Sequence, residues 1–508
     1  MSILDIFKKS RAFEETQKIA KSKRYYQGAI ANRLTSDWFT TNLSADNILR
    51  WALYRLRART RDLERNNDYA RKFLREVEQN VVGHNGVKLQ CQATTKYKNL
   101  PDSDKNTEVE QAWAQWGKMA GVDGSNFRDI CKLAMRRVAV DGEVLIRIIK
   151  GYDNPFNFGL QILESDLLDE KLYQDLPNGN SIVMGVEKDT YGKPVAYWLF
   201  DRYPYDLNTQ GVKHIRVPAD EMIHLFMRER PTQTRGIPWF VSAIIKLRML
   251  GAYEEAELVG ARIGSAKMGF FTQSLEGAEY TGDKEENGEI ISEVEPGILE
   301  KLPPGVDFKP FNPSSPNTQF ENFNKALLRG ISSGIGGAYN TIANDYESVN
   351  YSSLRASELE VREFWKDIQE WFISNFLDRV YNEWLPFAIL SNQVSISYTD
   401  INRFTNVEWQ ARRWGWVDPL KDAQGKVLEL DNGLTTRTQI LAEQGIDFED
   451  LLKQMAEEKA LAEKYGIDLS LLMSKKITPP PINQEAQGGI NGEAGTDQSQ
   501  EPNNQNGN

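Results

Sequence analysis

The sequence is poor in the residues that build several common kinds of site. It contains only 2 cysteines, Cys91 and Cys131, and 3 histidines in 508 residues. Two cysteines cannot supply a disulfide framework or a cysteine-rich zinc site. Scattered histidines are more often ordinary core or surface residues than metal ligands. We therefore expect no metal and no other cofactor, and we expect synthesis in a reducing cytoplasm.

Long apolar runs and an excess of basic charge are also missing. No stretch of about twenty uncharged apolar residues is present, so we expect no transmembrane helix. The apolar run at the N-terminus is too short for a signal peptide. The net charge of −11 disfavours a general nucleic-acid binder, because such a protein gains affinity by neutralising phosphates. At 508 residues the chain exceeds the size of a single hydrophobic core, which predicts several subdomains.

Catalytic motifs are absent apart from one misleading match. Gly330–Gly334 fits G-x-S-x-G, the nucleophile elbow of hydrolases, which needs a strand before the serine and a histidine later in the chain. Here the preceding residues have a helical pattern, and His84, His214 and His224 all lie upstream. The closest approach to a phosphate-binding loop, 185–193, lacks a required glycine. We therefore predict no enzymatic activity.

The stretch Phe320–Trp384 is predicted to form helix, loop and long helix. In the first helix, 320–343, each glycine costs about 1 kcal/mol relative to alanine. Glycines are therefore expected there only where a neighbouring backbone comes close, within the subunit or between subunits. The candidate close-packing residues are Gly330, Gly334, Gly336 and Gly337.

The polar run 344–357 is rich in turn-forming residues and is predicted to be an exposed loop. Ser357 is a plausible N-cap for the long helix that follows, and Pro386 is predicted to end that helix. The candidate exposed residues of the loop are Asn344, Asp345, Tyr346, Glu347, Ser348, Asn350, Tyr351 and Arg355.

Between Gln273 and Pro316 the chain is rich in proline, glycine and acidic residues, a composition typical of disorder. Short apolar pieces at Glu289–Val294 and Gly297–Leu302 instead favour strands that pair when subunits assemble. The acidic positions of interest are Glu285, Glu286, Glu289, Glu293 and Glu295.

The remaining elements indicate an α+β chain. Alternating apolar residues predict strands, and a 3.6-residue period predicts helices. The predicted strands are Glu143–Lys150, Leu160–Leu163, Asn180–Val186, Val195–Phe200, Met222–Phe226 and Val394–Tyr398. The predicted helices are Asp46–Leu63, Asp68–Val82, Thr107–Met119, Asn126–Ala139, Pro238–Gly264, Val407–Trp414, Pro419–Leu430, Thr436–Gln444 and Asp447–Tyr465. From Ile477 onward the composition predicts disorder.

Two basic clusters lie near the N-terminus, at Lys8–Arg24 and at Arg50–Arg61. The first is compatible with an arm that binds nucleic acid. We favour the alternative, a solvated helix or flexible terminus that docks on a neighbouring subunit.

Four motifs, taken in order, carry a family resemblance. They are Asp141–Glu143, Gln233–Pro238, Glu295–Gly297 ahead of Leu302, and Asn350–Arg355 after the glycine-rich helix. Each is weak alone, but together, over roughly residues 20 to 470, the chain resembles the lambda-type portal proteins of tailed bacteriophages.

The resemblance implies the α+β portal fold, with a mixed α/β wing, a two-helix stem, a small β-containing clip, a long helix and a helical crown. The implied boundaries are 1–60 for a basic N-terminal arm, 61–237 for the wing, 238–264 for the first stem helix, 265–319 for the acidic clip, 320–343 for the second stem helix, 344–357 for a tunnel loop, 358–400 for the long helix and the return to the wing, 401–475 for the crown and 476–508 for a disordered tail.

The resemblance also implies a ring of twelve subunits at one capsid vertex. Double-stranded DNA would be packaged through it by a terminase and ejected through it at infection, with non-specific contact at the tunnel loop. Further implied partners are major capsid and scaffold proteins and head-completion or tail adaptor proteins, and the implied location is the virion. The alternative is a monomeric helical scaffold or adaptor with an acidic docking segment. A nuclease or hydrolase would need a catalytic cluster that the sequence does not offer.

Overall fold

The computed structural model describes Asp37 and residues 40–96, 100–206, 211–265, 269–273, 306–310, 319–347, 351–414, 419–442, 446 and 448–467. They fall into two compact units, which divide between Asp422 and Ala423.

The first unit begins with two helices. Helix α1 spans Ala45–Asn66, and α2 spans Asp68–Val77 and continues as a π-helical turn over Glu78–Val82. Asn67 separates them and caps α2 with its side chain. Gly83 ends the run with a φ of 78°, a left-handed conformation that glycine adopts without strain. Helix α1 crosses residue 60, so the proposed boundary of the basic arm falls inside a continuous folded element.

Helices α3 (Ser103–Gly117) and α4 (Phe127–Asp141) pack beside the first sheet. In that sheet, β2 (Glu143–Lys150) lies between β3 (Phe158–Leu163) and β9 (Met222–Phe226), with antiparallel pairing on both sides. The bounds of β2 and β9 match the predicted ones. Gly142 turns the chain from α4 into β2 with a φ of 86°.

The second sheet is an antiparallel meander of five strands, and the register of its central hairpin places Val186 opposite Tyr197. The predicted single strand over 180–186 is divided by a turn at Met184 and Gly185. The strands are β4 (Gln174–Asp175), β5 (Ser181–Val183), β6 (Val186–Lys188), β7 (Pro194–Phe200) and β8 (His214–Pro218).

Helix α5 spans Ile244–Ser265, so it begins later than the predicted Pro238. Strands β10 (Gly269–Gln273) and β11 (Val306–Pro310) pair antiparallel on either side of the acidic segment, with Phe271 opposite Phe308. The predicted strands at 289–294 and 297–302, and Glu285, Glu286, Glu289, Glu293 and Glu295, lie outside the described residues.

The predicted helix 320–343 is wrong in its second half. Helix α6 spans Phe320–Ile335 and ends at Gly336, whose φ is 78°, and a short helix α7 follows over Tyr339–Ala343. The left-handed cap breaks the helical hydrogen-bond ladder, so Gly336 and Gly337 form a joint rather than part of a packed helical face.

The long helix also differs from the prediction at both ends. Helix α8 spans Tyr351–Phe372, a π-helical stretch follows over Ile373–Leu377, and α9 spans Asp378–Leu390 with Pro386 inside it. Ser357 is therefore inside α8 and does not cap it. Pro386 does not end the helix, because buried neighbours such as Trp384 hold the turn in place.

Two predictions after residue 390 are wrong. The expected strand at 394–398 is not formed, and the expected helix at 407–414 is instead β12 (Val407–Gln410), which pairs antiparallel with β1 (Lys88–Cys91). The sequence Val-Glu-Trp-Gln alternates apolar and polar residues, which suits a strand with one buried face. Residues 401–414 therefore belong to the first unit, which ends at Asp422.

Helix α10 (Pro419–Asp431) contains the division between the units. The described part of the second unit continues with α11 (Arg437–Ala442) and α12 (Phe448–Lys464), close to the predicted bounds. The tail 476–508 and the basic cluster Lys8–Arg24 lie outside the described residues.

The core of the first unit is strongly aromatic. Trp113 lies within 5.7 Å, between ring centroids, of Trp116, Tyr381, Trp384 and Trp409. Such clusters stabilise a fold through their large buried area and their edge-to-face geometry. This core packs α3 against α9 and β12. Helices α5 to α8 contribute residues to the same hydrophobic core.

Candidate channel loop, stem contact and buried ion cluster

Helices α5 and α6 meet at a close contact beside Gly334. Ser242, just before α5, donates its hydroxyl to the carbonyl oxygen of Gly334 at 2.8 Å. A Cβ atom placed on Gly334 would lie 2.8 Å from that hydroxyl oxygen, which is too close without movement. At the other end of the contact, Tyr253 lies 5.4 Å from Phe320 between ring centroids. The small size of Gly334 therefore sets the separation of the two helices.

The other three glycines also face atoms of their own chain. A Cβ on Gly330 would lie 3.4 Å from Nζ of Lys246, the flexible end of a side chain. A Cβ on Gly336 would lie 2.7 Å from the Phe364 ring, and one on Gly337 would lie 2.5 Å from the side chain of Ile342. Gly334, Gly336 and Gly337 thus have steric reasons to be glycine, whereas Gly330 does not.

We expect Gly334→Ala to lower the free energy of unfolding by about 1–3 kcal/mol, because the added methyl displaces the Ser242 hydroxyl. Gly330→Ala, one turn away, should be neutral or stabilising, because alanine favours helix by about 1 kcal/mol. Denaturation midpoints of the two variants provide the comparison.

A second variant tests the cause of the effect. Only 3.6 Å would separate the added Cβ from Cβ of Ser242, an ordinary contact. Combining Gly334→Ala with Ser242→Ala should therefore recover part of the lost stability. Equal stability of Gly334→Ala and Gly330→Ala would show that the helix separation does not depend on this glycine.

The predicted tunnel loop is compact at its start. Asn344 adopts a φ of 51° and ends α7. Asp345 then accepts a hydrogen bond from the hydroxyl of Tyr339 at 2.6 Å and lies 3.7 Å from Nζ of Lys325. Tyr346 and Glu347 point outward, with 52% of Tyr346 and 84% of the Glu347 side chain exposed.

These contacts affect the ionisation of the loop. The hydrogen bond from Tyr339 lowers the pKa of Asp345, and the backbone N–H of Glu347 adds to the effect. Burial and the same carboxylate raise the pKa of Tyr339 to about 12. Asp345 therefore anchors the loop, while the Glu347 side chain is largely exposed and lies 4.0 Å from Nζ of Lys325.

The rest of the predicted loop is not a loop where the structure describes it. Tyr351 begins α8, and Arg355 lies within this helix and forms an ion pair with Asp422 at 2.6 Å. Ser348, Asn350 and the side chain of Tyr351 lie outside the described residues. The described loop is thus limited to Asn344–Glu347, and Arg355 is engaged with a carboxylate of its own chain.

A buried ion cluster joins the start of the chain to the segment before α5. Glu143, at the start of β2, accepts hydrogen bonds from Arg57 at 2.5 Å and from Arg235 at 2.8 Å. Its other oxygen accepts from the backbone N–H of Gly236 at 2.7 Å and lies 2.9 Å from Nε2 of His224. All three charged side chains are at most 2% exposed.

The opposite charges of the cluster stabilise one another against the cost of burial. Burial opposes ionisation of Glu143, but the charges of Arg235 and Arg57 outweigh it and keep its pKa well below the ordinary value. Burial lowers the pKa of His224. Arg235 also donates to the carbonyl oxygens of Leu168, Met184 and Ser165 at 3.0–3.2 Å. The cluster therefore connects α1, both sheets and the entry to α5.

Two glycines allow the backbones to cross at this cluster. A Cβ on Gly236 would lie 2.0 Å from the carbonyl oxygen of Gly142, and one on Gly142 would lie 2.5 Å from the backbone of Ile237. The two motifs Asp141–Glu143 and Gln233–Pro238, distant in sequence, are thus in direct contact. Their glycines permit the crossing and their charged residues bind across it.

Sequence reasoning placed Arg57 in a basic cluster and did not find its partner. The missed signal was its position: Arg57 continues the buried face of α1 formed by Leu49 and Leu53. Glu143 likewise begins a strand whose next three residues are all buried and apolar. A charge in such a place needs a buried opposite charge, because an isolated one is very costly.

Groups of three or more His, Cys, Asp or Glu side chains able to hold a metal ion do not occur among the described residues. Within those same ranges, no helix combines the length and apolar character needed to cross a membrane.

Comparison with known proteins identifies the family. A model of the family described as "Phage portal protein, lambda family" matches residues 31–369. A relative from Halomonas phage phiHAP-1, described as "Probable portal protein", is 35% identical over 455 residues, covering 87% of this chain and 88% of the relative. Portal protein B of Escherichia phage lambda is 21% identical, covering 85% and 88%. This chain belongs to the lambda family of phage portal proteins, and its role is that of a connector between phage head and tail.

Among solved structures, the neck of a native gene transfer agent particle, computed with C12 symmetry, is similar to this chain with a TM-score of 0.42 and 14% identity. The match covers 76% of this chain and 93% of that one.

Proposed function

We propose that this chain forms a ring of twelve subunits at one vertex of the capsid. Double-stranded DNA is packaged through the ring by a terminase and leaves through it at infection. The ring contacts capsid and scaffold proteins inside the particle and head-completion or tail adaptor proteins outside it. It is made in the host cytoplasm and acts as a structural conduit without enzymatic chemistry. Membership of the family supports this proposal.

The observation that carries the ring is an apolar stripe along α5. Ile244, Leu247 and Leu250 on one side of the helix are buried in the core of the same subunit. On the opposite side an equally apolar row is exposed, with Ile245 and Met249 at 57% and 66%. The row follows helical spacing and comprises Ile245, Met249, Ala252, Ala256 and Val259. A helix that is apolar on both sides is typical of one buried on both sides.

The exposed face of α6 has the complementary character. Ala326 and Ser333 are small, and Gly330 lies between them. No contact within the subunit requires a glycine at position 330. We propose that the apolar stripe of α5 in one subunit packs against this small-residue face of α6 in the next. Such a contact joins two different surfaces, so a closing rotation produces a ring.

The domain assignment follows from this arrangement. We propose that α5 and α6 form the stem, that the segment closed by β10 and β11 forms the clip, and that the two larger sheets with α1 to α4 form the wing. Residues 423–467 form the crown.

The proposal predicts assembly of the purified protein. Light scattering should give a mass that is a multiple of 58.0 kDa, and electron microscopy should show rings. A mass of one subunit at every concentration and salt would instead favour a monomeric scaffold.

The channel-facing role of Asn344–Glu347 predicts an effect of charge. A channel through which DNA slides must contact the DNA without trapping it, and each phosphate neutralised by a fixed cation adds affinity. Glu347→Lys should therefore increase the affinity of assembled rings for linear double-stranded DNA at low salt, and the increase should vanish at high salt. This variant leaves the Tyr339–Asp345 hydrogen bond in place.

The control is Glu363→Lys on α8, which makes the same charge change at a side chain that is 71% exposed. The comparison uses fluorescence anisotropy on rings of matched mass. Equal DNA affinity of the two variants would show that the loop does not face the DNA.

A further inference from the structure

The outward face of α1 combines exposed aromatic residues with arginines. Trp51 is 78% exposed although it lies in the middle of a regular helix. Tyr54 and Tyr205 contact each other at 5.3 Å between ring centroids, and both are half exposed. We call this surface the arginine–tryptophan face, and its residues are Ile48, Arg50, Trp51, Tyr54, Arg55, Arg59 and Tyr205.

The arginines of this face differ from the others on α1. Arg57 and Arg61 point inward to carboxylates of the same subunit. Among the described residues, Arg50, Arg55 and Arg59 have no carboxylate within ion-pairing distance. The Arg50 guanidinium instead lies over the rings of Trp51 and Tyr173, at 5.3 Å and 4.4 Å from their centroids. From Asn47 to Arg59 the outward face therefore carries three positive charges and no negative one.

The composition is that of a protein-binding surface. Tryptophan, tyrosine and arginine are the residues that most often dominate the energy of protein interfaces. Stacking holds Arg50 and Trp51 in position before a partner arrives, which reduces the entropy lost on binding. On a chain with a net charge of −11, a local excess of three positive charges is a specific feature rather than a general property of the surface.

Charge decides what kind of partner fits. The residues before α1 do not suit the face, because residues 1–39 contain eight basic and four acidic residues, a net charge of +4. A nucleic acid fits less well than a protein, because three arginines neutralise few phosphates and the aliphatic Ile48 has no use in phosphate binding. An acidic polypeptide with apolar side chains can pair with the arginines of this face and also pack on its aromatic and aliphatic residues.

We propose that the arginine–tryptophan face docks an acidic amphipathic helix of another protein. Its carboxylates pair with Arg55 and Arg59, and its apolar side chains pack on Trp51 and Ile48. The inference does not depend on the ring, since it uses only residues of α1 and their neighbours in one subunit.

The test uses a fluorescent synthetic helix with leucines along one side and glutamates on the other, added to the purified full-length protein. Binding measured by anisotropy should weaken about tenfold or more in Trp51→Ala. It should be lost in the double variant Arg55→Glu with Arg59→Glu, and binding to the unmodified protein should fall as salt rises.

Arg65→Glu is the matched control, because Arg65 lies on the same helix beyond Arg59, the last α1 residue of the face, and its side chain is 66% exposed. It should bind the peptide as the unmodified protein does. A peptide with glutamine in place of glutamate should bind far less. The mass of each variant is measured in parallel, so that loss of peptide binding is separated from loss of assembly.

Three results would overturn the proposal. The first is no binding of the glutamate peptide, or equal binding by all variants. The second is tighter binding of a single-stranded DNA oligonucleotide than of the peptide, which would assign the face to nucleic acid. The third is failure of Trp51→Ala to assemble while it remains folded by circular dichroism, which would assign the face to contact between copies.

Discussion

Glu143→Gln is expected to lower the free energy of unfolding by about 3–5 kcal/mol, the effect of breaking a buried ion pair by removing one partner. The substitution preserves the shape of the side chain but removes the negative charge that Arg57 and Arg235 share. Arg235 would then be buried without its carboxylate partner, and Arg57 would keep only the more distant Asp166, at 3.9 Å.

The matched control is Glu221→Gln, which breaks a pair with Arg147 whose two side chains are each about one-third exposed. Exposed pairs contribute about 0–1 kcal/mol, so this variant should remain close to the unmodified protein. The stability of both variants is measured by urea denaturation, with tryptophan fluorescence as the signal. If the two variants lose the same stability, the buried cluster is not what holds α1 to the entry of α5.

Met249→Glu combined with Ala256→Glu should abolish ring assembly while leaving the subunit folded. Both positions lie on the exposed apolar stripe of α5, so the carboxylates are solvated in the free subunit. At the proposed contact with α6 of the next subunit they would be buried without partners, at a cost of several kcal/mol each. A ring repeats that cost at every contact.

Leu258→Glu tests whether a new carboxylate on α5 disrupts assembly only when it lies on the apolar stripe. Leu258 is 72% exposed on the same helix but points away from the stripe. Its variant should assemble normally. Light scattering gives the mass, and circular dichroism shows whether each variant is folded. Assembly of the double variant would exclude the stripe as the subunit contact, and loss of assembly in Leu258→Glu would show that any charge on α5 is disruptive.

The elements with a strong local pattern were predictable from the sequence. The apolar residues of Glu143–Lys150 and Met222–Phe226 predict both strands with the bounds that they have. The apolar period of α4 predicts its extent to within about two residues. These segments are stabilised by the faces that their own sequence defines, so local pattern and final packing agree.

The elements that were wrong depend on contacts distant in sequence. Residues 407–410 form a strand because β1, more than three hundred residues earlier, offers an edge to pair with. Pro386 remains inside a helix because the buried residues around it outweigh the cost of about 3 kcal/mol. Gly336 ends a helix at a left-handed cap, where helical periodicity alone extended the helix to 343.

The candidate site also has some features that could be predicted from the sequence and others that could not. Exposure of Tyr346 and Glu347 could be predicted, because turn-forming polar residues signal a surface loop. The pairing of Asp345 with Tyr339 and of Arg355 with Asp422 could not, because sequence spacing does not show which side chains meet. The sequence shows the two motifs that form the ion cluster, Asp141–Glu143 and Gln233–Pro238. It does not show that they contact each other, because no local pattern depends on that contact.

The ladder of β10 and β11 has a consequence for how this protein family could diversify. Antiparallel strands hold their chain directions about 5 Å apart, so the acidic segment leaves and returns at one place. Lengthening or exchanging what lies between Gln273 and Val306 does not require any change in the paired residues of the ladder itself. We therefore expect that this segment can be replaced by one of different length or sequence while β10 and β11 stay paired.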